Sequence, residues 1–316
     1  MLSRIDPVAL YGKLQEHKCT LLKRNGYKLC FRIEEESASY IVRAIQEIEI
    51  LKTKKYKGRI LLKSFAEAWV QNQSLRKQII ASSDPYEEMW RQSRRYGYKM
   101  ATTYMPEYAK SIYEYFAPEI VLDPCAGWGD RMMAASTVST IQQYIGFDPN
   151  EQLRAGYIEI MNLSGAQHIG DNPLAFSNQY LIHSIPFEHN QLESNSVDLV
   201  FTSPPFFDYE IYNSTNPQYS NWIDEFYIPL FRESCRCVKP NKYVVMYIEN
   251  TCCGNIDKFL TTQVETVCDL TLQFKIGCER ITDYNSPMRT VWCYQKGDAA
   301  KGHAVPFNPW LSEAMP

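Results

Sequence analysis

Thr202-Ser203-Pro204-Pro205-Phe206 follows directly on the apolar run Leu199-Val200-Phe201, so an extended segment runs straight into two prolines. Proline has no N–H and a fixed φ, so a following helix cannot use this end, and its carbonyls stay available to a ligand. Ser203 and the Pro204 carbonyl could accept hydrogen bonds from an exocyclic amino group, Pro205 would keep the turn rigid, and Phe206 offers a ring on which a planar base can stack. Such stacking is worth roughly 1–3 kcal/mol per base. Phe207 and Tyr209 could extend that stack, while Asp208 and Glu210 could line the same pocket, pair with Arg131 or simply face solvent.

A second turn has a different chemistry. The apolar segment Ile120-Val121-Leu122 ends in Asp123-Pro124-Cys125-Ala126-Gly127-Trp128-Gly129-Asp130, and a helical pattern follows. Two glycines in such a turn let backbone approach a ligand closely at the carboxyl edge of a sheet. Phosphate is a poor fit, because neither Gly-Lys-Ser/Thr nor G-x-G-x-x-G is present and an acid, Asp130, follows the turn. Asp123 suits a cationic ligand, and S-adenosylmethionine carries both a sulfonium and an α-ammonium. The next strand closes with Gly146-Phe147-Asp148-Pro149-Asn150, where the two carboxylate oxygens of Asp148 can accept both ribose hydroxyls. Trp128 either covers that cofactor or fills the core.

Taken together, Asp123-Pro124-Cys125-Ala126-Gly127-Trp128-Gly129 and the later Thr202-Ser203-Pro204-Pro205-Phe206 resemble the class I S-adenosylmethionine-dependent amino-methyltransferases. The Thr-Ser-Pro-Pro form is similar to that of DNA cytosine-N4 enzymes, whereas Asp-Pro-Pro-Tyr is commoner in adenine-N6 enzymes. The resemblance covers residues 99–296 and implies a Rossmann-like α/β fold, with a seven-stranded, mostly parallel sheet ending in an antiparallel pair. It implies catalysis by Ser203, Pro204, Pro205 and Phe206. Cofactor contacts are expected from Asp123, Pro124, Cys125, Ala126 and Gly127, from Asp148 and Pro149, and from Phe187 and Thr202. Tyr104, Met105 and Pro106 occupy the stretch that meets the methionine end in these enzymes. One departure is Lys239-Pro240-Asn241-Lys242, where Lys-Pro-Gly-Gly is more usual.

Rival chemistries leave different marks. A carbon-5 cytosine enzyme needs a Pro-Cys nucleophile on the catalytic loop, but Pro124-Cys125 lies in the cofactor turn and no cysteine follows Pro205. Glutamine-modifying relatives carry Asn at the position of Ser203. DNA cytosine-N4 methylation is the leading expectation. Adenine-N6 methylation, RNA base methylation and a silent nucleic-acid-binding protein on the same fold are its alternatives.

The elements that must position these residues are legible as alternating strands and helices from about residue 100, the signature of a parallel sheet covered on both faces. Strands are expected at Ile120 to Leu122, Gln143 to Phe147, Val197 to Phe201, Tyr243 to Ile248, Phe274 to Ile281 and Thr290 to Gln295, the last two as an antiparallel pair around 283–287. A further strand lies either at Gln167 to Asp171 or at Tyr180 to Glu188, the second having the better apolar run. Before residue 99 the pattern reads as a hairpin, Lys18 to Arg24 and Tyr27 to Ile33 about Asn25-Gly26, with both turn residues at positive φ. Helices are expected over Ser37 to Leu51 and Leu61 to Ile80, with a cationic loop, Lys52 to Arg59, between them. A third helix begins at Asp84-Pro85 and runs into Arg91, Arg94 and Arg95.

Residues 1–98 hold 19 Lys and Arg against 11 Asp and Glu, whereas the remaining chain holds 14 against 25. A basic front on an acidic body suits a polyanion, so residues 1–98 are expected to recognise nucleic acid, with DNA first. Residues 297–316 read as a loosely packed tail. No apolar run is long enough to span a membrane and no hydrophobic signal core begins the chain, so an intracellular place, cytoplasmic or nucleoid/nuclear, is expected. Ten cysteines without a Cys-x-x-Cys, and five histidines without a spaced pair, predict reduced thiols and no metal. Oligomeric state is left open.

Overall fold

The computed structural model describes residues 6–33, 38–57, 60–95, 101–167, 174–177, 179–207, 210–212, 221–251, 254–280 and 288–297. The front segment forms α1 (Pro7–Glu16), β1 (Thr20–Leu22), β2 (Leu29–Ile33), α2 (Ser39–Ile45), α3 (Glu47–Lys52), β3 (Lys54–Lys57), β4 (Ile60–Leu61), α4 (Phe65–Gln71), α5 (Gln73–Ile80) and α6 (Pro85–Arg95). Then come α7 (Pro106–Phe116), β5 (Ile120–Asp123), α8 (Asp130–Ala135), β6 (Gln143–Phe147), α9 (Arg154–Leu163), β7 (Tyr180–His183), β8 (Val197–Thr202) and β9 (Glu210–Ile211). The chain closes with α10 (Ile228–Cys237), β10 (Val238–Tyr247), α11 (Val264–Val267), β11 (Leu270–Arg280) and β12 (Arg289–Lys296).

Nine strands build one sheet in the order β1-β2-β11-β12-β10-β8-β5-β6-β7. Strands β7, β6, β5, β8 and β10 run parallel, and β12 is antiparallel to both β10 and β11, so the α/β class and the antiparallel end are as the sequence leads one to expect. Alternate residues of each strand face opposite layers. Val121, Tyr144, Leu199 and Val245 join the core under the front helices, α7, α8 and α9, while Leu122, Ile145, Val200 and Val244 join the core under α10 and α11. The chain fills the sheet from β5 outward to β7 and then returns to place β8 on the other side of β5. That reversal opens a crevice at the carboxyl ends of β5 and β8, where a doubly wound sheet binds ligands.

Four local expectations need correction. The hairpin forms, but only Gly26 of its turn has positive φ (83°), and β2 goes on to pair in parallel with β11, which extends the sheet from seven strands to nine. Ser37 to Leu51 is two helices: α2 ends at Gln46, whose side chain is 3% exposed and turns inward to the backbone oxygens of Trp128 and Leu153. Leu61 to Ile80 also divides, because Ser64 with Glu67 forms a capping box for α4 and Asn72 caps α5 through the Leu75 N–H. Lys54 to Lys57, inside the expected loop, is instead a strand between β4 and β9. The Asp84 cap of α6 holds, with the Glu87 N–H donating to Asp84 Oδ1 at 3.0 Å. Of the two segments competing for the outer strand, Tyr180–His183 is the one that pairs with β6, and residues 168–173 lie outside the described residues. Residues 281–287 and 298–316 lie outside them too.

Candidate active site

A cavity of about 1680 Å³ opens at the carboxyl ends of β5, β6, β8 and β10. Both turns singled out in the sequence line it. From the glycine turn come Pro124, Cys125, Gly127, Trp128 and Asp130; from the proline turn come Ser203, Pro204, Pro205 and Phe206. Tyr104, Asp148, Pro149 and Phe187 complete the expected set on the wall.

Five expected contacts lie behind the wall. Asp123 and Thr202 are fully buried, Ala126 and Met105 nearly so, and Pro106 is in the interior face of α7, so these residues support the lining without forming it. The correction matters most for Asp123. Arg131 grips it with two hydrogen bonds, Nε to Oδ2 at 2.8 Å and Nη2 to Oδ1 at 3.2 Å. Tyr144 Oη donates to Oδ2 and Thr202 Oγ1 to Oδ1, each at 2.7 Å. Arg131 also donates to the Cys125 carbonyl, and its guanidinium lies 5.5 Å from the centre of the Tyr104 ring. Asp123 therefore neutralises a buried arginine and ties β5, β6 and β8 together beneath the glycine turn.

The turn above this network depends on its glycines. Gly129 has φ +96°, and a Cβ there would stand 2.8 Å from Ile160 Cδ1 and 3.3 Å from Tyr157 Cδ1, so any side chain would be both strained and crowded. The Gly127 N–H donates to Asp148 Oδ2 at 2.9 Å, and the Asn150 N–H donates to Oδ1 at the same distance. Burial raises the Asp148 carboxyl to about 6 in spite of those two N–H groups, which pull it down. Burial, reinforced by Asp123 and Asp148, raises the Cys125 thiol. A thiol held in its protonated form is a weak nucleophile, in keeping with a non-covalent role.

In the neighbouring turn after β8 the Pro205 carbonyl accepts a hydrogen bond from Tyr227 Oη at 2.8 Å, which anchors the proline turn to the π-helical turn Ile223–Tyr227 before α10. Phe206 stays half-buried at the cavity, its ring 5.8 Å from that of Tyr247. Phe207 does not share this place. It packs into the second core beside Tyr227, and Gly254 beneath it leaves no room for a Cβ, the nearest ring atom lying at 2.6 Å. Asp208 and Tyr209 lie outside the described residues.

Several lining groups carry no motif. Glu49, Lys52, Lys54 and Leu61 bring the front segment to the cavity, and Tyr247, Glu249 and Arg289 form the side beyond β10. Glu210 pairs neither with Arg131 nor with solvent: Lys55 Nζ meets its carboxylate at 2.5 Å, and both side chains are less than a tenth exposed. Lys55 also donates to Thr102 Oγ1 at 2.8 Å, and the Thr102 N–H to Glu210 Oε1 at 3.2 Å. This ion pair closes β3 onto β9 immediately after the proline turn. Nothing in the spacing of Lys52, Lys54, Lys55 and Lys57 distinguishes the buried lysine from its neighbours, because the partner is far away in sequence. Trp128 both lines the cavity and packs edge-on to Tyr212 at 5.8 Å.

Among the described residues no cluster of three or more metal-ligating side chains occurs, and no helix is long and apolar enough to cross a membrane. No family model matches the chain, and no curated protein does. Solved structures similar to it include TrmN from Thermus thermophilus (14% identity, TM-score 0.41), with 61% of this chain and 49% of that one covered, so the chain spans about half of TrmN. An rRNA methylase from Streptococcus thermophilus (12% identity, TM-score 0.40) is covered completely by 63% of this chain. An S-adenosylmethionine-dependent methyltransferase from Listeria monocytogenes (13% identity, TM-score 0.36) is 99% covered by 60% of this chain.

Proposed function

We propose that the protein transfers a methyl group from S-adenosylmethionine to the exocyclic amino group of a nucleic-acid base, with DNA cytosine N4 as the first target. The observation that carries this reading is the meeting of the glycine turn and the Ser203-Pro204-Pro205-Phe206 turn on one cavity, at the point where the sheet reverses direction. A volume of about 1680 Å³ exceeds the roughly 300–1,000 Å³ of a pocket for one small molecule and suits a cofactor together with a flipped base.

The wall fits the proposed cofactor. Close backbone at Gly127 leaves room for a nucleoside, Asp148 presents a carboxylate to ribose hydroxyls, and Phe187 and Tyr104 add apolar surface. When bound, S-adenosylmethionine supplies an electrophilic methyl on its sulfonium. A base amine is a poor nucleophile because its lone pair is delocalised into the ring. Ser203 Oγ and the Pro204 carbonyl accept its two hydrogens and so favour a pyramidal nitrogen, while Phe206 holds the ring in plane; the rate gain comes chiefly from positioning. The front segment reaches the cavity wall at Lys52 and Lys54, whose ammoniums pair with Glu49 and Glu67, and it is the overall basic balance of residues 1–98 that supports a polyanionic substrate bound there.

The test is transfer of labelled methyl to duplex DNA, single-stranded DNA and RNA, with each polymer digested to nucleosides. Label on cytosine N4 is expected; label on adenine N6 or on RNA would replace the substrate and retain the mechanism, and label on none of them would overturn the reading. Cofactor affinity should also depend on pH. The carboxyl of Asp148, raised to about 6, accepts ribose hydroxyls only when ionised, so affinity is full above that pH and declines as pH falls through it. Calorimetric titration from pH 5 to pH 8 checks this, and Asp148→Asn should weaken binding and remove the Asp148 contribution to the slope.

A further inference from the structure

Asp130 opens α8 directly after the glycine turn and lines the cavity. Only 2% of it is exposed, and its Oδ1 is buried with no hydrogen-bond partner. Burying a carboxylate oxygen without a partner costs free energy that a folded chain rarely sustains unless something arrives to satisfy it. The neighbouring acid of the same turn is differently placed. Asp123 lies behind the wall, fully buried, with both oxygens committed to Arg131, Tyr144 and Thr202. The turn thus carries one acid neutralised from within and one acid on the ligand side whose oxygen lacks a donor.

We propose that Asp130 is a cofactor-positioning residue, its carboxylate receiving the α-ammonium at the amino-acid end of S-adenosylmethionine. The assignment rests on the cofactor reading above and goes beyond the turn's sequence pattern, which points to Asp123. Tyr104, on the segment before α7, lines the same cavity, so the apolar wall and the carboxylate would enclose the amino-acid end together. The charged groups facing Asp130 are Arg131 from its own helix, Arg43 from α2 and Glu107 from α7. Arg131 is engaged by Asp123, and Arg43 donates through Nε to Thr103 Oγ1 at 3.1 Å. Burial outweighs both arginines and raises the Asp130 carboxyl to about 7. Close to neutral pH the group is therefore partly protonated before ligand binds, and an ammonium placed against it drives the proton off.

Calorimetric titration of the full chain with S-adenosylhomocysteine and with methylthioadenosine, which lacks the amino-acid end, tests the assignment. Asp130→Asn should weaken S-adenosylhomocysteine binding about tenfold or more, as expected for loss of a charge-assisted hydrogen bond, and leave methylthioadenosine within about twofold. An equal loss for both ligands, or no loss for either, overturns it. Wild-type protein that binds neither ligand would overturn the cofactor reading itself, a result distinct from the others and fatal to this assignment as well. A second measurement compares proton release on S-adenosylhomocysteine binding near pH 7, in two buffers of different ionisation heat, between the wild type and Asp130→Asn, with less release expected from the variant. Proton release unchanged in Asp130→Asn overturns the role of Asp130, and a reduced release supports it.

Discussion

Asp123→Ala should destabilise the protein by about 3–5 kcal/mol, the cost of leaving one member of a buried ion pair without the other. Arg131 and Asp123 are 4% and 0% exposed in their side chains, so no water is at hand to take over the lost bonds. The same change strips an acceptor from Tyr144 Oη and from Thr202 Oγ1, and Thr202 in turn accepts from the Cys125 N–H at 3.1 Å. The loss should therefore spread from the core into the glycine turn, and cofactor affinity should fall with stability. Urea unfolding reads the first effect and calorimetric titration the second. A double variant, Asp123→Leu with Arg131→Met, removes both charges and should recover much of the stability, since well-packed apolar replacements of buried ion pairs are often neutral or better. A loss below about 1 kcal/mol for Asp123→Ala would show that the network does not support the turn.

Ser203→Ala should act at the neighbouring proline turn and with opposite selectivity. Removing one oxygen that orients the reacting amine should reduce turnover by about 100-fold, the scale set by removal of single preorganised groups in other active sites. Cofactor affinity should stay within about twofold, because the wall proposed to hold the cofactor is built from the turns after β5 and β6. Single-turnover methyl transfer and cofactor titration on the same preparation separate the two quantities. If affinity falls together with turnover, Ser203 belongs to the cofactor wall and the role assigned to it here is wrong. The fold should tolerate the change, since the proline turn is held independently by Tyr227 Oη on the Pro205 carbonyl.

Some of this architecture is readable in the chain because its causes are local. A buried strand followed by a turn residue and a helical period appears in any window that contains it, so β5, β6, β8 and β12 fall within a residue or two of the expected bounds. The two turns are equally local: Pro204-Pro205 and Gly127/Gly129 limit backbone geometry wherever they stand. The helix break at Gln46 is not. Residues 39–52 have a continuous helical pattern, but at the break the Gln46 side chain turns inward to the Trp128 and Leu153 oxygens, in space that Gly156 of α9 leaves open, where a Cβ would stand 2.2 Å from the amide.

The α/β class, the parallel central strands and the two turns that meet at the cavity are legible in the chain alone, since periodicity, proline and glycine act through neighbouring residues. Contacts between distant segments set which acids line the cavity and which meet arginine or lysine. Asp123 and Asp130 are seven positions apart and of similar chemistry, yet one is consumed by Arg131 and the other is left on the wall; Lys55 sits among other lysines, yet its ammonium is buried against Glu210. The physical reason is that a charge's role is set by its desolvation and by the partner within hydrogen-bond reach, and both come from segments far away in the chain.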